Sequence, residues 1–395
     1  MNYALAALLL TALPACFHPS YDHPACGSEG QCPDDLTCVA GLCESAASPD
    51  DAAPDAEPDA APDVLVDTCI GTVDGLLRVC PTGEVAASVV KSSISTDLLS
   101  MDCDASLSSS MICVVVGTNV MVNVPMVTGS RALVIAAYEQ ITVTTLGVMS
   151  NDLRGPGAPF ATCPTPNGTP NNGIASSGGG AGASFGGKGG AGGRPDMVGM
   201  GVASPAVIDP ATLTTLRAGC DGGKGGQFNG QTPGTGGFGG GAVYLVANGS
   251  IQIMTSINAS GSGGHAMPSR GVGGAGGGSG GFIGLDAPVI NAMGAQIFAN
   301  GGGGGGGGGK TTGAYGGQGG APSTATVAAM GGNAGDIDAG DGGHGSVGIA
   351  AGQDGFQSNN SGSGSGGGGG GAGVIRVWRS PTLNAAVVSP PAVLP

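Results

Sequence analysis

Three aspartates in the C-terminal third of the chain have the spacing that most resembles a metal site. Asp336, Asp338 and Asp341 lie in residues 331–341, GGNAGDIDAGD, a segment similar to the calcium-binding nonapeptide GGxGxDxUx. Ala334 stands where that motif has glycine, and Asp338 stands at its apolar position. Three close carboxylates suit a hard cation, so these aspartates are our calcium candidates, and the alternative is a polar turn. We expect no other metal site and no cofactor.

Two further patterns match motifs of enzymes. Residues 304–311, GGGGGGKT, fit the phosphate-binding pattern GxxxxGK[ST], but the glycines that follow would break the helix that such a loop requires. Gly182–Gly186 and Gly277–Gly281 match the nucleophile elbow of serine hydrolases, which also needs a histidine and an acid. The main domain has His265 and His344 only. Such matches arise by chance in glycine-rich sequence, so we expect no catalytic residue and a non-enzymatic protein.

The N-terminal residues are typical of an export signal. Residues 4–15, ALAALLLTALPA, suit a signal peptide over residues 1–15 and are too few to span a bilayer. The run ends in Leu13-Pro14-Ala15-Cys16, which resembles the lipobox of bacterial lipoproteins and implies lipidation of Cys16. The alternative is an ordinary secretory signal beside a disulfide cysteine. We expect an exported protein whose lipid on Cys16 holds it on the outer membrane, at the cell surface.

The cysteine count suits an exported, lipid-anchored chain. The chain has 11 cysteines, and Cys16 as the lipid anchor leaves ten that can form five disulfides. Four of them lie in a small module over residues 16–43, where we favour Cys26–Cys38 with Cys32–Cys43 among three pairings, and zinc is the rival. We expect Cys163 to bond to Cys220. The disulfide candidates are Cys26, Cys32, Cys38, Cys43, Cys69, Cys80, Cys103, Cys113, Cys163 and Cys220.

Composition divides the rest of the chain and limits its partners. Residues 44–67 form an acidic linker rich in Pro, Ala and Asp, which can extend on the order of 70 Å as polyproline II. A main domain over residues 68–380 and a tail over residues 381–395 follow. The net charge is −15, so nucleic acid is excluded as an expected partner.

The main domain repeats a pattern of apolar strands. Residues 132–143, ALVIAAYEQITV, align without a gap with residues 242–253, AVYLVANGSIQI, and residues 282–292 follow the same plan with one deletion. Stacked copies of such a unit predict an all-β, β-solenoid-like fold (a parallel β-helix), and a sandwich of hairpins stays open. Residues 209–219 are the one predicted helix.

Glycine-rich insertions separate the strand units. Seventy-five of the 84 glycines fall between Gly155 and Gly373. We expect these segments to pack as polyproline II strands through backbone hydrogen bonds and Cα–H···O contacts, and flexible surface loops are the alternative.

Several of these segments together carry a resemblance. The order of SRALVIAAYEQITV, LRAGCDGGKGG, GGGAVYLVANGSIQI, IFANGGGGGGGGG and GGGGAGVIRV along the chain is similar to glycine-rich surface lipoproteins of myxobacterial-type Gram-negative bacteria. The resemblance covers residues 95–378 and implies export, surface anchoring and a β-solenoid-like fold, without an established activity.

These observations predict a lipid-anchored surface protein with a structural, adhesive or protective role. Its expected partners are the membrane, through the lipid on Cys16, and surface glycans or envelope proteins. The alternative is a carbohydrate-binding or carbohydrate-cleaving β-helix, for which Asp286, Asp336, Asp338 and Asp341 are the candidate carboxylates.

Overall fold

The computed structural model describes residues 31–32, 36–39, 42–45, 68–150, 154–157, 163–164, 166–170, 176–197, 201–209, 213–384 and 386–394. The chain divides into two compact units, Met1–Val66 and Asp67–Pro395. The signal peptide over residues 1–15, Cys16, Cys26 and the linker after residue 45 lie outside the described residues.

The first unit contains a short antiparallel hairpin. β1 (Leu36–Val39) pairs with β2 (Leu42–Ser45). Cys32 is bonded to Cys43, which is one half of the interleaved pairing that we favoured, and Cys38 is also disulfide-bonded. Because β2 reaches Ser45, the folded module continues past Cys43 into the segment expected as linker.

The second unit is built from β-strands. They are β3 (Ser88–Lys91), β4 (Ile112–Val124), β5 (Ala132–Gly147), β6 (Ala242–Ala247), β7 (Ser250–Asn258), β8 (Phe282–Asp286), β9 (Val289–Asn291), β10 (Gln296–Phe298), β11 (Val374–Trp378) and β12 (Val387–Ser389). In the described part of the chain the only helical element is a 3-10 turn at Pro195–Met197. The expectation of an all-β fold is confirmed.

The ten strands form one parallel sheet with two ladders. In the first ladder, the N-terminal halves of β4 and β5 are followed by β6, β8 and β11. In the second ladder, β3 and the C-terminal halves of β4 and β5 are followed by β7, which pairs with β9 and β10, and β10 pairs with β12. β4 and β5 therefore run through both ladders.

The register sets equivalent residues of the aligned segments side by side. Leu133 lies opposite Val243 in the first ladder, and Gln140 lies opposite Ser250 in the second. Both pairs have the same separation along the chain, so one offset holds in both ladders as far as Val143, as in the ungapped alignment, and a register shift follows before Thr145. The separation between paired residues of β7 and β9 is one residue shorter than that between paired residues of β6 and β8. This difference corresponds to the single deletion in the third segment.

The sequence of β5 explains why the two ladders differ. Its first half, ALVIAA, is apolar throughout, with Leu133 in one hydrophobic core and Val134 in another. Its second half, QITVT, alternates, so that Ile141 and Val143 are buried and the residues beside them are partly exposed. The first ladder is therefore covered on both faces, as parallel strands usually are, and the second ladder has one outer face.

The expectation of a helix over residues 209–219 is wrong. Residues 213–219 form no helix, and residues 210–212 lie outside the described part. Leu213 is buried, the Arg217 guanidinium lies 5.1 Å from the centroid of the Phe185 ring, and Cys220 is held by its disulfide. These tertiary contacts outweigh the local capping pattern, because helix propensity is a weak preference.

The glycine-rich segments are joined to one another by backbone hydrogen bonds. Along residues 302–309, eight successive glycine N–H groups donate in rotation to the segments 272–278, 314–320 and 340–343. Gly302, Gly305 and Gly308 all donate to the first of these, and their carbonyl oxygens all accept from the segment 364–370. The pattern repeats every three residues. We refer to the interlocked segments 178–193, 272–281, 301–320, 330–345, 352–358 and 363–373 as the glycine bundle.

Close approach of the backbones explains why the residues inside the bundle are glycines. A Cβ added to Gly304 would lie less than 3.0 Å from the carbonyl group of Gly367, closer than real Cβ atoms come. The backbone of Gly304 does not have a positive φ, so its conformation would admit other residues. Glycine is required there because another backbone occupies the volume of a side chain.

Three disulfides and the C-terminal residues complete the second unit. The disulfides are Cys69–Cys80, Cys103–Cys113 and the expected Cys163–Cys220 bond. The segment expected as a tail over residues 381–395 contains β12, and Val393 forms a parallel bridge with Arg376 of β11. These last residues therefore cover edges of the sheet.

Candidate functional site

The residues that match enzyme motifs are used in folding. The N–H groups of Gly304–Gly309, which a phosphate-binding loop would direct at its ligand, donate instead to neighbouring segments of the glycine bundle. Ser184 is buried and its Oγ accepts a hydrogen bond from Gly189, at 3.0 Å. The Oγ of Ser279 bonds to the backbone of Cys220. In each motif, the N–H or hydroxyl group that would have to be available to a ligand or substrate is hydrogen-bonded within the protein.

The three calcium candidates bind backbone or amide groups of the protein. Asp336 accepts from the N–H of Lys310 at 2.7 Å and from that of Asp338 at 3.1 Å. Asp341 accepts from Ala334 at 2.6 Å, and Asp338 accepts from the amide of Asn360 at 3.2 Å. Among the described residues, no group of three His, Cys, Asp or Glu side chains is placed to hold a metal ion. The aspartates therefore hold parts of the second unit together.

Asp286 is the centre of a buried polar cluster at the end of β8. Its carboxylate accepts a hydrogen bond from the hydroxyl of Tyr244 at 2.6 Å and forms an ion pair with the guanidinium of Arg379. Arg379 also donates to the backbone oxygens of Ala247 at 2.7 Å and of Asp286 at 2.8 Å. The Tyr244 hydroxyl accepts from the N–H of Leu76. We refer to Tyr244, Asp286 and Arg379 as the Asp286 cluster.

The environment of the Asp286 cluster favours a structural role. Burial raises the pKa of Tyr244, and the negative charge of Asp286 raises it further, so the phenol stays neutral at physiological pH. The Asp286 side chain is fully buried, and its charge is offset by Arg379. Because the Asp286 carboxylate is inaccessible to a glycan, it is not placed to cleave one. The cluster instead ties the ends of β6, β8 and β11 together.

One cavity is lined by Arg131 and by residues between Leu98 and Ser110. It has a volume of about 280 Å³, and Arg131 is buried. The guanidinium donates to the backbone oxygens of Thr96 and Asp97, both at 2.7 Å, and to that of Ser109 at 3.0 Å. Its Nη2 also lies 3.0 Å from the Cys103 sulfur. The cation is therefore committed to the fold.

The glycine bundle carries a more open cavity at its surface, which we call the Phe356 groove. It has a volume of about 570 Å³ and is lined by residues 191–194, Gly201 and residues 353–357. Its polar side chains are Arg194, Gln353, Asp354 and Gln357, and its one large apolar side chain is Phe356. The sequence alone does not reveal this site, because its two walls come from segments that are far apart along the chain.

The walls of the Phe356 groove are fixed by the bundle. The N–H of Phe356 donates to Asp341, and its carbonyl oxygen accepts from Gly366. The N–H of Ala191 donates to the carboxylate of Asp354 at 2.7 Å. Nevertheless, the Phe356 side chain is 60% exposed. An aromatic ring held in solvent by a rigid backbone is the signal that marks this groove, and in the sequence the residue stands out only because aromatics are 4% of the chain.

No helix in the described part of the chain is long and apolar enough to cross a membrane.

Comparison with known proteins gives no family for the chain. No family model matches it, and no curated protein and no solved structure is similar to it. The resemblance to glycine-rich surface lipoproteins therefore stays a prediction.

Proposed function

We propose that the protein is a non-enzymatic, lipid-anchored protein of the cell surface whose second unit is a rigid scaffold. Its role is structural, adhesive or protective. The observation that carries this proposal is the glycine bundle, in which segments far apart in sequence are interlocked by hydrogen bonds in several directions at once. A domain built in this way is suited to hold a shape outside the cell.

The scaffold is a β-solenoid fused to a bundle of polyproline II-like segments. The offset that the aligned residues share in both ladders supports a solenoid, because each aligned segment contributes residues to both ladders. The three-residue period of hydrogen bonding along residues 302–309 supports polyproline II geometry, which has three residues per turn.

A non-enzymatic role agrees with the contacts that the candidate carboxylates make. Asp286 is buried and paired with Arg379, and Asp336, Asp338 and Asp341 accept hydrogen bonds from other parts of the second unit. No described observation favours a carbohydrate-cleaving role over a scaffold. A carbohydrate-binding role has a separate basis in the Phe356 groove.

Anchoring rests on the N-terminal sequence. The lipobox at Leu13-Pro14-Ala15-Cys16 supplies the lipid, and the acidic linker up to residue 67 holds the second unit away from the outer membrane. The high acidic content disfavours nucleic acid as a partner.

Two measurements test the proposed function. In cells fed a labelled fatty acid, the wild-type protein should carry the label and Cys16→Ser should not. Intact cells are then treated with protease, and an epitope placed after Pro395 is followed by immunoblot beside a periplasmic control protein. Loss of the epitope with an intact control supports surface exposure. An unlabelled wild-type protein, or an epitope protected as well as the control, contradicts the proposal.

A further inference from the structure

We propose that the Phe356 groove binds neutral hexopyranose units of a polysaccharide. The site is not required by the scaffold role and goes beyond it. The inference relies on the proposed surface location only for the supply of glycans, because the groove itself is defined by residues of the second unit.

The aromatic ring provides the first half of the recognition. One face of a hexopyranose is made of C–H groups, and such a face packs on an aromatic ring with little loss of side-chain entropy. Phe356 is 60% exposed, although burial of the ring would favour folding. Its backbone is fixed on both sides by Asp341 and Gly366, so the ring is displayed by a rigid segment.

The polar side chains around the ring provide the second half. The amides of Gln353 and Gln357, the guanidinium of Arg194 and the carboxylate of Asp354 are planar groups that can each bond to two neighbouring hydroxyls. Arg194 donates to the side-chain oxygen of Gln357 at 3.1 Å, and Asp354 is held by Ala191. Three of the four groups, Arg194, Gln357 and Asp354, are therefore oriented before a ligand arrives, which reduces the entropic cost of binding.

The charge of the groove selects for a neutral sugar. Arg194 and Asp354 offset one another, and Gln353 and Gln357 are uncharged. A uronic acid or a phosphate would be attracted by the positive charge of Arg194 and repelled by the negative charge of Asp354. The volume of about 570 Å³ falls within the range of roughly 300–1,000 Å³ in which proteins bind small organic ligands. Because the groove is open, it suits a short stretch of a longer chain.

The test uses the full mature chain with Cys16→Ser, which avoids detergent. Its mobility is measured in native gels that contain dextran, laminarin or yeast mannan as neutral probes, or polygalacturonate as the acidic probe. We expect at least one neutral polysaccharide to retard the protein and polygalacturonate not to do so. The apparent affinity should fall about tenfold in Phe356→Ala and in Gln357→Ala, since these changes remove the stacking surface and a bidentate partner.

A matched control separates specific stacking from general exposure of an aromatic ring. Tyr315→Ala removes the other exposed aromatic side chain of the described residues, which is 47% exposed and does not line the groove. This variant should bind like the parent, and the thermal unfolding of all three variants should match the parent because the altered side chains are at the surface. Equal retardation of Phe356→Ala and the parent overturns the proposal, as does binding to polygalacturonate alone or to none of the probes. Since the assay uses purified protein, these outcomes do not depend on where the protein is located in the cell.

Discussion

Substituting alanine for one glycine of the bundle tests why the segments are glycine-rich. Gly304→Ala places a methyl group less than 3.0 Å from the carbonyl carbon and oxygen of Gly367. Carbon atoms in favourable contact lie about 3.5–4.0 Å apart, so the two segments must separate by about 1 Å. Gly367 cannot move alone, because it donates to Gly305 and accepts from Gly343.

The expected cost follows from overpacking and from the bonds that the shift disturbs. Forcing a methyl group into a packed interior costs about 1–3 kcal/mol. One buried backbone hydrogen bond left unmade adds about 1–3 kcal/mol. We therefore expect Gly304→Ala to lower the free energy of unfolding by roughly 4 kcal/mol. For a unit of about 330 residues, this corresponds to a fall in Tm of about 6 °C.

Gly83→Ala is the matched control for this experiment. A Cβ at Gly83 meets no atom within 4 Å, and the residue does not have a positive φ. The alanine should change stability by less than about 1 kcal/mol, in the stabilising direction, because it restricts the unfolded chain. Thermal unfolding is followed by circular dichroism and calorimetry with the disulfides intact. If the two variants unfold at the same temperature, backbone contact is not the reason for glycine in the bundle.

Three further changes test other contacts of the second unit. Arg379→Met leaves the buried carboxylate of Asp286 without its cation and should cost about 3–5 kcal/mol in urea unfolding, and adding Asp286→Asn should recover part of the loss. Because the pKa of Tyr244 is raised above its ordinary value of 10.0, the neutral phenol contributes stability that is complete below about pH 10 and is lost as the pH rises further. Tyr244→Phe should lack this loss when urea unfolding is compared below and above about pH 10, and an unchanged alkaline loss would contradict the assignment. Replacing both cysteines of Cys163–Cys220, which are 57 residues apart, should cost about 4 kcal/mol, against about 3 kcal/mol for Cys69–Cys80, which are 11 apart; equal losses would contradict the loop-entropy explanation.

The strand pattern could be predicted because parallel stacking repeats the same environment at each level. The segments that begin at Ala132 and Ala242 face equivalent neighbours in both ladders, so their apolar positions coincide and the alignment gives the register. ALVIAA is apolar throughout because both faces of the first ladder are covered, and QITVT alternates because only one face of the second ladder is covered. Local sequence reports such environments directly.

Contacts between distant segments could not be predicted in this way. The pairing of Asp286 with Arg379 joins residues 93 positions apart, and the Phe356 groove joins walls from Ala191 and Gln353. The helix expected over residues 209–219 fails for the same reason, because the Cys163–Cys220 bond and the Phe185 ring decide the conformation there. The local sequence does not determine which glycine segments lie beside one another between the strands.

The three-residue rotation of hydrogen bonds along residues 302–309 limits how the length of the bundle can change. When three residues are removed or added, every remaining N–H group again faces the segment to which it donated before. A change of one or two residues would direct each downstream N–H group toward a different segment, so the whole downstream pattern would lose its partners. Insertions and deletions inside the bundle that preserve the fold should therefore change its length by multiples of three residues.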